Sequence, residues 1–213
     1  MLAPFRRDEV VMAEGLERVY RRLRYGRPIV VVSGLPRSGT SMAMKMLEAG
    51  GLGVVTDGQR TADEDNPKGY YEDERVKRLH KEEDKAWLHE ARGKVVKIIS
   101  FLLKSLPADH NYKVVFMHRN LKEIIASQNK MLARLGKPND LPDEAAAQIL
   151  AAQVKDATFF LKRPQFEVLE LHYADMLAHA RPQAQRLAEF VGEPLDVEKM
   201  AAVVDKELYR NRA

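Results

Sequence analysis

Ile29-Val30-Val31-Val32-Ser33-Gly34-Leu35-Pro36-Arg37-Ser38-Gly39-Thr40-Ser41 is the stretch on which the fold turns. Four consecutive β-branched residues suit a strand buried on both faces, as in a parallel sheet. Gly34 and Gly39 bracket a turn, and the pattern Met42, Met44, Met46, Leu47 continues as a helix that ends at Gly50-Gly51. A strand running through a glycine loop into a helix aims backbone N–H groups and a helix N-terminus at one point, where phosphate or sulfate oxygens bind. An ordinary strand-to-helix turn uses the same punctuation residues. The hydroxyls of Ser38, Thr40 and Ser41 favour the anion site.

The spacing Gly34-x4-Gly39 is that of a nucleotide-triphosphate P-loop, but Thr40 stands where that motif requires Lys. The residue that neutralises a terminal phosphate is missing, and the positive charge sits inside the loop at Arg37.

Outward from the loop, elements alternate. Residues 8–24 place Val11, Met12, Leu16, Val19, Tyr20 and Leu23 on one helical face, which predicts an amphipathic covering helix. The first strand is 29–33. Residues 56–68 read as a long connection, 72–91 as a helix, 95–99 and 112–117 as strands, and a helix starts near Leu121. A helix over 142–162, a strand over 166–171 and helices over 181–191 and 196–208 complete the pattern. The fold class expected is α/β: a three-layer, P-loop-type fold with a mostly parallel central sheet flanked by helices. Residues 1–213 read as a single domain, with an N-terminal amphipathic helix (1–27), a core (28–200) and a tail (201–213).

Composition narrows the partners. The net charge of +4 arises from interspersed signs, without the long basic block of a nucleic-acid tail, and it suits a small polyanion. No cysteine is present, so disulfides and thiolate metal sites are excluded. The six His are scattered without ligand spacing, so no metal is expected. No apolar run approaches the ~20 residues of a membrane span, and no signal-peptide core follows Met1; a cytoplasmic protein is expected. Gly-x-Ser-x-Gly is absent, so no hydrolase elbow is indicated.

In such a sheet the ligand lies at the carboxyl ends of the strands. The 112–117 strand leads into His118-Arg119-Asn120, and Ser127 follows eight residues after Arg119 on the next helix. An Arg fork and a hydroxyl converging there bind a second phosphate. Taken alone, the pair also reads as an Arg at a sheet edge and a Ser buried in a helix. His118 and His172 each end a strand and read either as pocket lining or as packed imidazoles.

Together these stretches resemble the sulfotransferases that use 3′-phosphoadenosine 5′-phosphosulfate, in their divergent bacterial branch. Pro36-Arg37-Ser38-Gly39-Thr40-Ser41 resembles the family's 5′-phosphosulfate loop. Arg119 to Ser127 resembles its 3′-phosphate element, and Val168 to Met176, with Tyr173, its later strand ending in Tyr-x-Asp-Met. The resemblance implies that amides of Ser38, Gly39 and Thr40, with the Thr40 and Ser41 hydroxyls, hold the 5′-phosphate. It further implies that Arg37 meets the charge growing on the leaving oxygen, that Arg119 and Ser127 hold the 3′-phosphate, and that Tyr173 contacts the nucleoside. No metal is implied, in keeping with Thr40.

The base is a separate question. The steroid and phenol branch carries a His two residues after a strand Lys, whereas here the segment is Lys97-Ile98-Ile99. Asn66-Pro67-Lys68-Gly69-Tyr70-Tyr71-Glu72 resembles an element of bacterial members and points to Glu72 as general base, in an acceptor pocket walled by Tyr70 and Tyr71. Glu72 reads equally as a carboxylate in a helix first turn. Lys97 stabilises the transferring group or is a solvated strand-end Lys. The family's C-terminal Arg-Lys-Gly element is missing; Arg210 and Arg212 substitute for it or belong to a solvated tail.

The expected reaction is sulfuryl transfer to a hydroxyl or amine of a small-molecule, glycan or lipid acceptor, and the assembly is open to a homodimer. A P-loop kinase of a small metabolite and a non-catalytic nucleotide-binding module are the other readings.

Overall fold

The structure, a computed structural model, describes residues 7–58, 71–81, 84–137 and 141–205; of 7–14 it describes the helical backbone only. The element Asn66 to Tyr70 and the pair Arg210 and Arg212 lie outside the described residues.

Strand β1 (Ile29–Gly34) is buried along its whole length, as its unbroken β-branched run requires. It is the middle of a five-stranded sheet in the order β2-β3-β1-β4-β5, with β2 Val54–Val55, β3 Val95–Lys97, β4 Tyr112–His118 and β5 Phe166–His172. All pairs are parallel; the register sets Val30 beside Val95 on one side and Gly34 beside Met117 on the other. Side chains alternate between two cores. Ile29 and Val31 join Val96, Ile98, Val114 and Phe116 on the face covered by a 3-10 turn (Ser100–Ser105) and helix α5 (Asp143–Phe160). Val30 and Val32 join Val115 and Met117 under helices α2 (Thr40–Ala49), α7 (Ala180–Val191) and α8 (Val197–Ala202). Each fully buried aliphatic side chain is worth roughly 1.5–3 kcal/mol, so this strand anchors both layers.

The chain leaves β1 through α2 toward β2 at one edge, and leaves β4 through helix α4 (Leu121–Arg134) and α5 toward β5 at the other. The crevice between the carboxyl ends of β1 and β4 is therefore the topological switch point, where the polypeptide opens a cleft without further design.

Four expectations change. The helix expected over 72–91 is one turn, α3 (Glu74–Lys77), and a 3-10 turn (Ala86–His89). Nearly every residue from 72 to 85 is charged, and the segment is held instead by Leu79 and Leu88 in the core and by the Asp73 cap, whose carboxylate accepts from the Arg75 amide at 2.9 Å. Strand β2, the 3-10 turn after β3, and helix α6 (Tyr173–Ala178) are additional. The last helix ends at Ala202, and residues beyond 205 lie outside the described residues. Finally, α1 (Arg7–Tyr25) does not cover the domain with its apolar face: Leu16, Val19, Tyr20 and Leu23 are exposed.

Candidate functional site

The loop after β1 is shaped by its glycines. Gly34 has φ 147°, and a Cβ there would sit 2.5 Å from Ser38 Oγ and 2.7 Å from the Met117 carbonyl oxygen. Gly39, at φ 100°, caps α2, and a Cβ on it would meet Tyr173 Cδ2 at 2.5 Å. Between them Arg37 adopts φ 70°, a left-handed conformation that costs a side-chain-bearing residue about 1 kcal/mol or more and recurs at functional sites.

The loop's groups divide. The Ser38 amide donates to the Leu35 carbonyl at 3.2 Å, so it is spent on the turn and not turned toward a ligand as expected. The Ser38 hydroxyl is buried and makes no hydrogen bond, while the Thr40 amide opens α2 in its orphan first turn. A buried unpaired hydroxyl beside a helix N-terminus fits an anion's oxygens. Pro36 is exposed at the rim, and Ser41 is half-buried on the first turn of α2.

Arg119 leaves β4 directly opposite. It reaches the loop: Nη1 donates to the Arg37 carbonyl at 3.0 Å, and Nε donates to Glu123 Oε2 at 2.8 Å. Both side chains of this ion pair are under a tenth exposed. Arg37 in turn donates from Nε to the buried Ser127 Oγ at 2.9 Å. Tyr173, at the start of α6, closes the group, with its ring against Gly39 and the Arg119 guanidinium 4.3 Å from its centroid. Burial raises the Tyr173 pKa, so its phenol stays neutral. Arg37, Arg119, Ser127 and Tyr173, from four elements, thus form one connected cluster at the switch point.

A second cluster lies at the end of β3. Lys97, expected either at the transferring group or in solvent, has a side chain only 9 % exposed, and its Nζ is 3.8 Å from Glu72 Oε1. Lys77 Nζ approaches the other carboxylate oxygen at 3.5 Å. Glu72 precedes α3 and is not in a helix first turn; Asp73 takes the cap. Its backbone is clamped, since the Thr56 hydroxyl donates to the Glu72 carbonyl at 2.9 Å and the Asp57 amide does so at 3.3 Å. Tyr71, expected as a pocket wall, packs on the α2 side and donates its hydroxyl to Glu48 Oε2 at 2.6 Å. Burial and that carboxylate push the Tyr71 phenol far above its ordinary pKa.

His118 and His172 stack across β4 and β5 with centroids 5.1 Å apart, on the sheet face away from α2. Trp87 packs on the core below α5 with the Arg75 guanidinium 5.0 Å from its ring centre. Among the described residues, no three His, Asp or Glu come together as a metal would need, and no helix is long and apolar enough to cross a membrane.

Residues 27–211 match a family model described as Sulfotransferase domain. The chain belongs to the sulfotransferase family. Among solved structures it is similar to the sulfotransferase domain from the curacin biosynthetic pathway, at 16 % identity over 85 % of this chain and 89 % of that one, with a TM-score of 0.50. A sulfotransferase from Alicyclobacillus acidocaldarius matches at 15 % identity over 80 % and 85 %, with a TM-score of 0.47. A mouse sulfotransferase, SULT7A1 complexed with PAP, matches at 15 % over 84 % and 62 %, with a TM-score of 0.49. No curated protein matches the chain.

Three residues that brace this candidate site were not singled out in the sequence. Glu123 is the readable one, being four positions after Arg119 at the start of a helix, the spacing at which side chains meet. Glu48 and Asp57 carry no such signal, because their partners lie across loops: Glu48 accepts from Tyr71, and Asp57 Oδ2 accepts from the Glu74 amide at 2.7 Å.

Proposed function

We propose that the protein transfers a sulfuryl group from 3′-phosphoadenosine 5′-phosphosulfate to a hydroxyl or amine of a small-molecule, glycan or lipid acceptor, with residues 28–200 as the catalytic core. The reading rests on one observation: the loop after β1 and the arginine after β4 are joined through Arg37, Ser127 and the Arg37 carbonyl, at 2.9 and 3.0 Å. That both candidate anion-binding elements border one crevice supports a single nucleotide held by two phosphates.

In this proposal Gly39, Thr40 and Ser41, with the unpaired Ser38 hydroxyl, receive the 5′-phosphate side. Arg119 and Ser127 receive the 3′-phosphate, and Tyr173 flanks the nucleoside. Arg37 stabilises charge on the leaving phosphate oxygen, a task for a preorganised donor in a closed site. Transfer is in-line: the acceptor oxygen forms a bond to sulfur, the bond from sulfur to the phosphate oxygen breaks, and its electron pair stays on the bisphosphate. The acceptor proton passes to Glu72, and Lys97 faces the sulfuryl oxygens. Nothing is oxidised or reduced, and positioning carries most of the catalysis.

The test is a thermal-shift comparison of adenosine 3′,5′-bisphosphate, ATP with magnesium, and GTP. A ligand at a hundred times its Kd adds about 2.7 kcal/mol to stability, so selective stabilisation by the bisphosphate is expected. Selective stabilisation by ATP with magnesium, followed by chelator-sensitive phosphorylation, overturns the reading in favour of a kinase. Bisphosphate binding without transfer across a broad acceptor panel overturns it in favour of a non-catalytic module.

A further inference from the structure

At the amino end of the sheet, opposite the crevice, three segments meet just before their strands begin. Helix α1 brings Arg21, the lead-in to β3 brings His89 and Arg92, and the lead-in to β4 brings Asp109 and His110. Contacts tie them into one corner. Arg21 Nη2 donates to the carbonyls of Ala108 and His110, each at 2.8 Å. Asn111 Nδ2 donates to the Gly26 carbonyl at 3.0 Å, and a Cβ on that glycine would lie 3.7 Å from Arg92 Nη1. The His89 and His110 rings are 4.8 Å apart between centroids.

Six buried side-chain nitrogens and oxygens lack a hydrogen-bond partner among the described residues, and three of them are here: Arg21 Nε, Arg92 Nε and His110 Nε2. Arg21 is 9 % exposed and His110 3 %. The three differ in what they ask for. Both guanidinium nitrogens only donate, and both groups are permanently cationic. His110 Nδ1 lies 2.9 Å from Asp109 Oδ1, a bond that holds the Asp109 carboxyl below its ordinary pKa. An ionised carboxylate only accepts, so Nδ1 carries the ring proton and Nε2 presents a lone pair. Burial, opposed by Asp109 and reinforced by Arg92 and His89, depresses the His110 pKa, so the ring is neutral at pH 7. Tyr112 stacks on His110 at 6.1 Å with its own hydroxyl given to the Pro107 carbonyl. Asp109 is engaged by the imidazole, and neither guanidinium meets a carboxylate among the described residues.

We propose that this corner binds the protonated phosphate group of a small ligand, inorganic phosphate or a phosphomonoester, through Arg21, Arg92 and His110. Phosphate oxygens accept from the two Nε–H groups, and the P–OH group donates to His110 Nε2. A water molecule satisfies the imidazole but leaves two cations without a counter-charge. Sulfate brings the charge, yet at neutral pH it has no proton to give the lone pair. A phosphate that keeps one proton supplies counter-charge, acceptors and donor together. Exposed His89 and half-buried Arg92 leave the corner open to solvent. The seven residues of β4, at about 3.3 Å each, separate this site from Arg119 by roughly 20 Å. It is therefore distinct from the crevice and independent of the function proposed there.

Isothermal titration calorimetry of the full chain at about pH 6.5 tests this, with inorganic phosphate, glycerol 3-phosphate and sulfate at matched ionic strength. At least one of the two phosphates is expected to bind about tenfold or more tightly than sulfate, and whichever binds better names the source. Arg92→Gln, at a half-exposed position that folding tolerates, should weaken that binding about tenfold, the cost of one charge-assisted bond. His110→Phe keeps the ring packing and should erase the preference over sulfate, with far-UV circular dichroism to check its folding. Phosphate also suits the crevice, so each titration is repeated on Arg119→Ala, which should leave the affinity unchanged. No phosphate binding, equal affinity for sulfate, binding undiminished by Arg92→Gln, or binding lost with Arg119→Ala each overturns the proposal.

Discussion

Arg37 holds a backbone conformation that glycine would adopt freely, with φ 70°, while its carbonyl accepts from Arg119 and its guanidinium donates to Ser127. Strain and function are separable here. Arg37→Gly is expected to shift the melting temperature only slightly, because removal of the positive-φ penalty offsets the lost bond to the buried Ser127 hydroxyl and the gain in unfolded-chain entropy, yet to cut kcat for sulfuryl transfer by about a hundredfold or more, the usual cost of losing a transition-state donor; a Gly variant with full kcat would remove Arg37 from the chemistry. Arg119→Ala should weaken adenosine bisphosphate binding by roughly 1.5–3 kcal/mol, read by calorimetry, and unchanged affinity would free the residue of its assigned role. Gly39→Ala drives a methyl into the Tyr173 ring at a positive φ. A loss of about 1–3 kcal/mol, a drop of several degrees in Tm for a chain of this size, is the expected result in a melting experiment.

At the scale of elements, the strap that carries Glu72 is organised by neighbours it reaches only after folding. Tyr71 sits at φ 51° with its hydroxyl on Glu48, and Thr56 and Asp57 hold the Glu72 carbonyl. Glu72→Gln should therefore lower kcat while leaving bisphosphate affinity intact, whereas Tyr71→Phe should lower kcat with a smaller loss of stability, about 1 kcal/mol for one hydrogen bond. Steady-state kinetics beside calorimetry separates the two, and a Glu72→Gln enzyme with wild-type turnover would exclude the carboxylate as base. The pairing of β4 with β5 carries a pH signature. Burial depresses the His118 pKa, the Glu170 carboxylate 3.6 Å from Nε2 opposes this, and the His172 ring adds to it. The folded chain therefore binds this proton less well than the unfolded chain. The neutral ring contributes stability above the unfolded imidazole pKa of about 6.5, and that contribution is lost as pH falls from that value through the lower pKa of the folded chain. Between about pH 7.5 and 5.5 the wild type should lose more Tm than His118→Phe, and parallel losses would assign the acid sensitivity elsewhere.

Across the whole molecule, legibility followed burial. Ile29 to Val32 announced a strand buried on both faces because every side chain in it is apolar, and the sheet is built around it. The convergence of Arg37, Arg119 and Ser127 was readable because strand order in a parallel sheet fixes which loops meet. The segment after Glu72 was misread as a long helix because its charges allow that periodicity; what holds it is the burial of Leu79 and Leu88 in the core and the Asp73 cap, which no local pattern encodes. Strand β2, two residues long, has too little sequence to signal anything. The exposed stripe of α1 shows the limit most plainly, since an apolar face predicts a partner without saying whether that partner is the same molecule.

The register of β1 also sets an order of assembly. This strand pairs with β3 and β4, which begin at residues 95 and 112, more than sixty positions later in the chain. A nascent polypeptide stopped before residue 119 would carry the glycine loop with one bank of its crevice missing, and the turn after β1 would have no opposite shore. Truncated chains of that length are thus expected to emerge as sticky, unfinished sheets, and ribosome-stalled chains of graded length would first resist protease once β4 and the edge strand after it have cleared the exit tunnel.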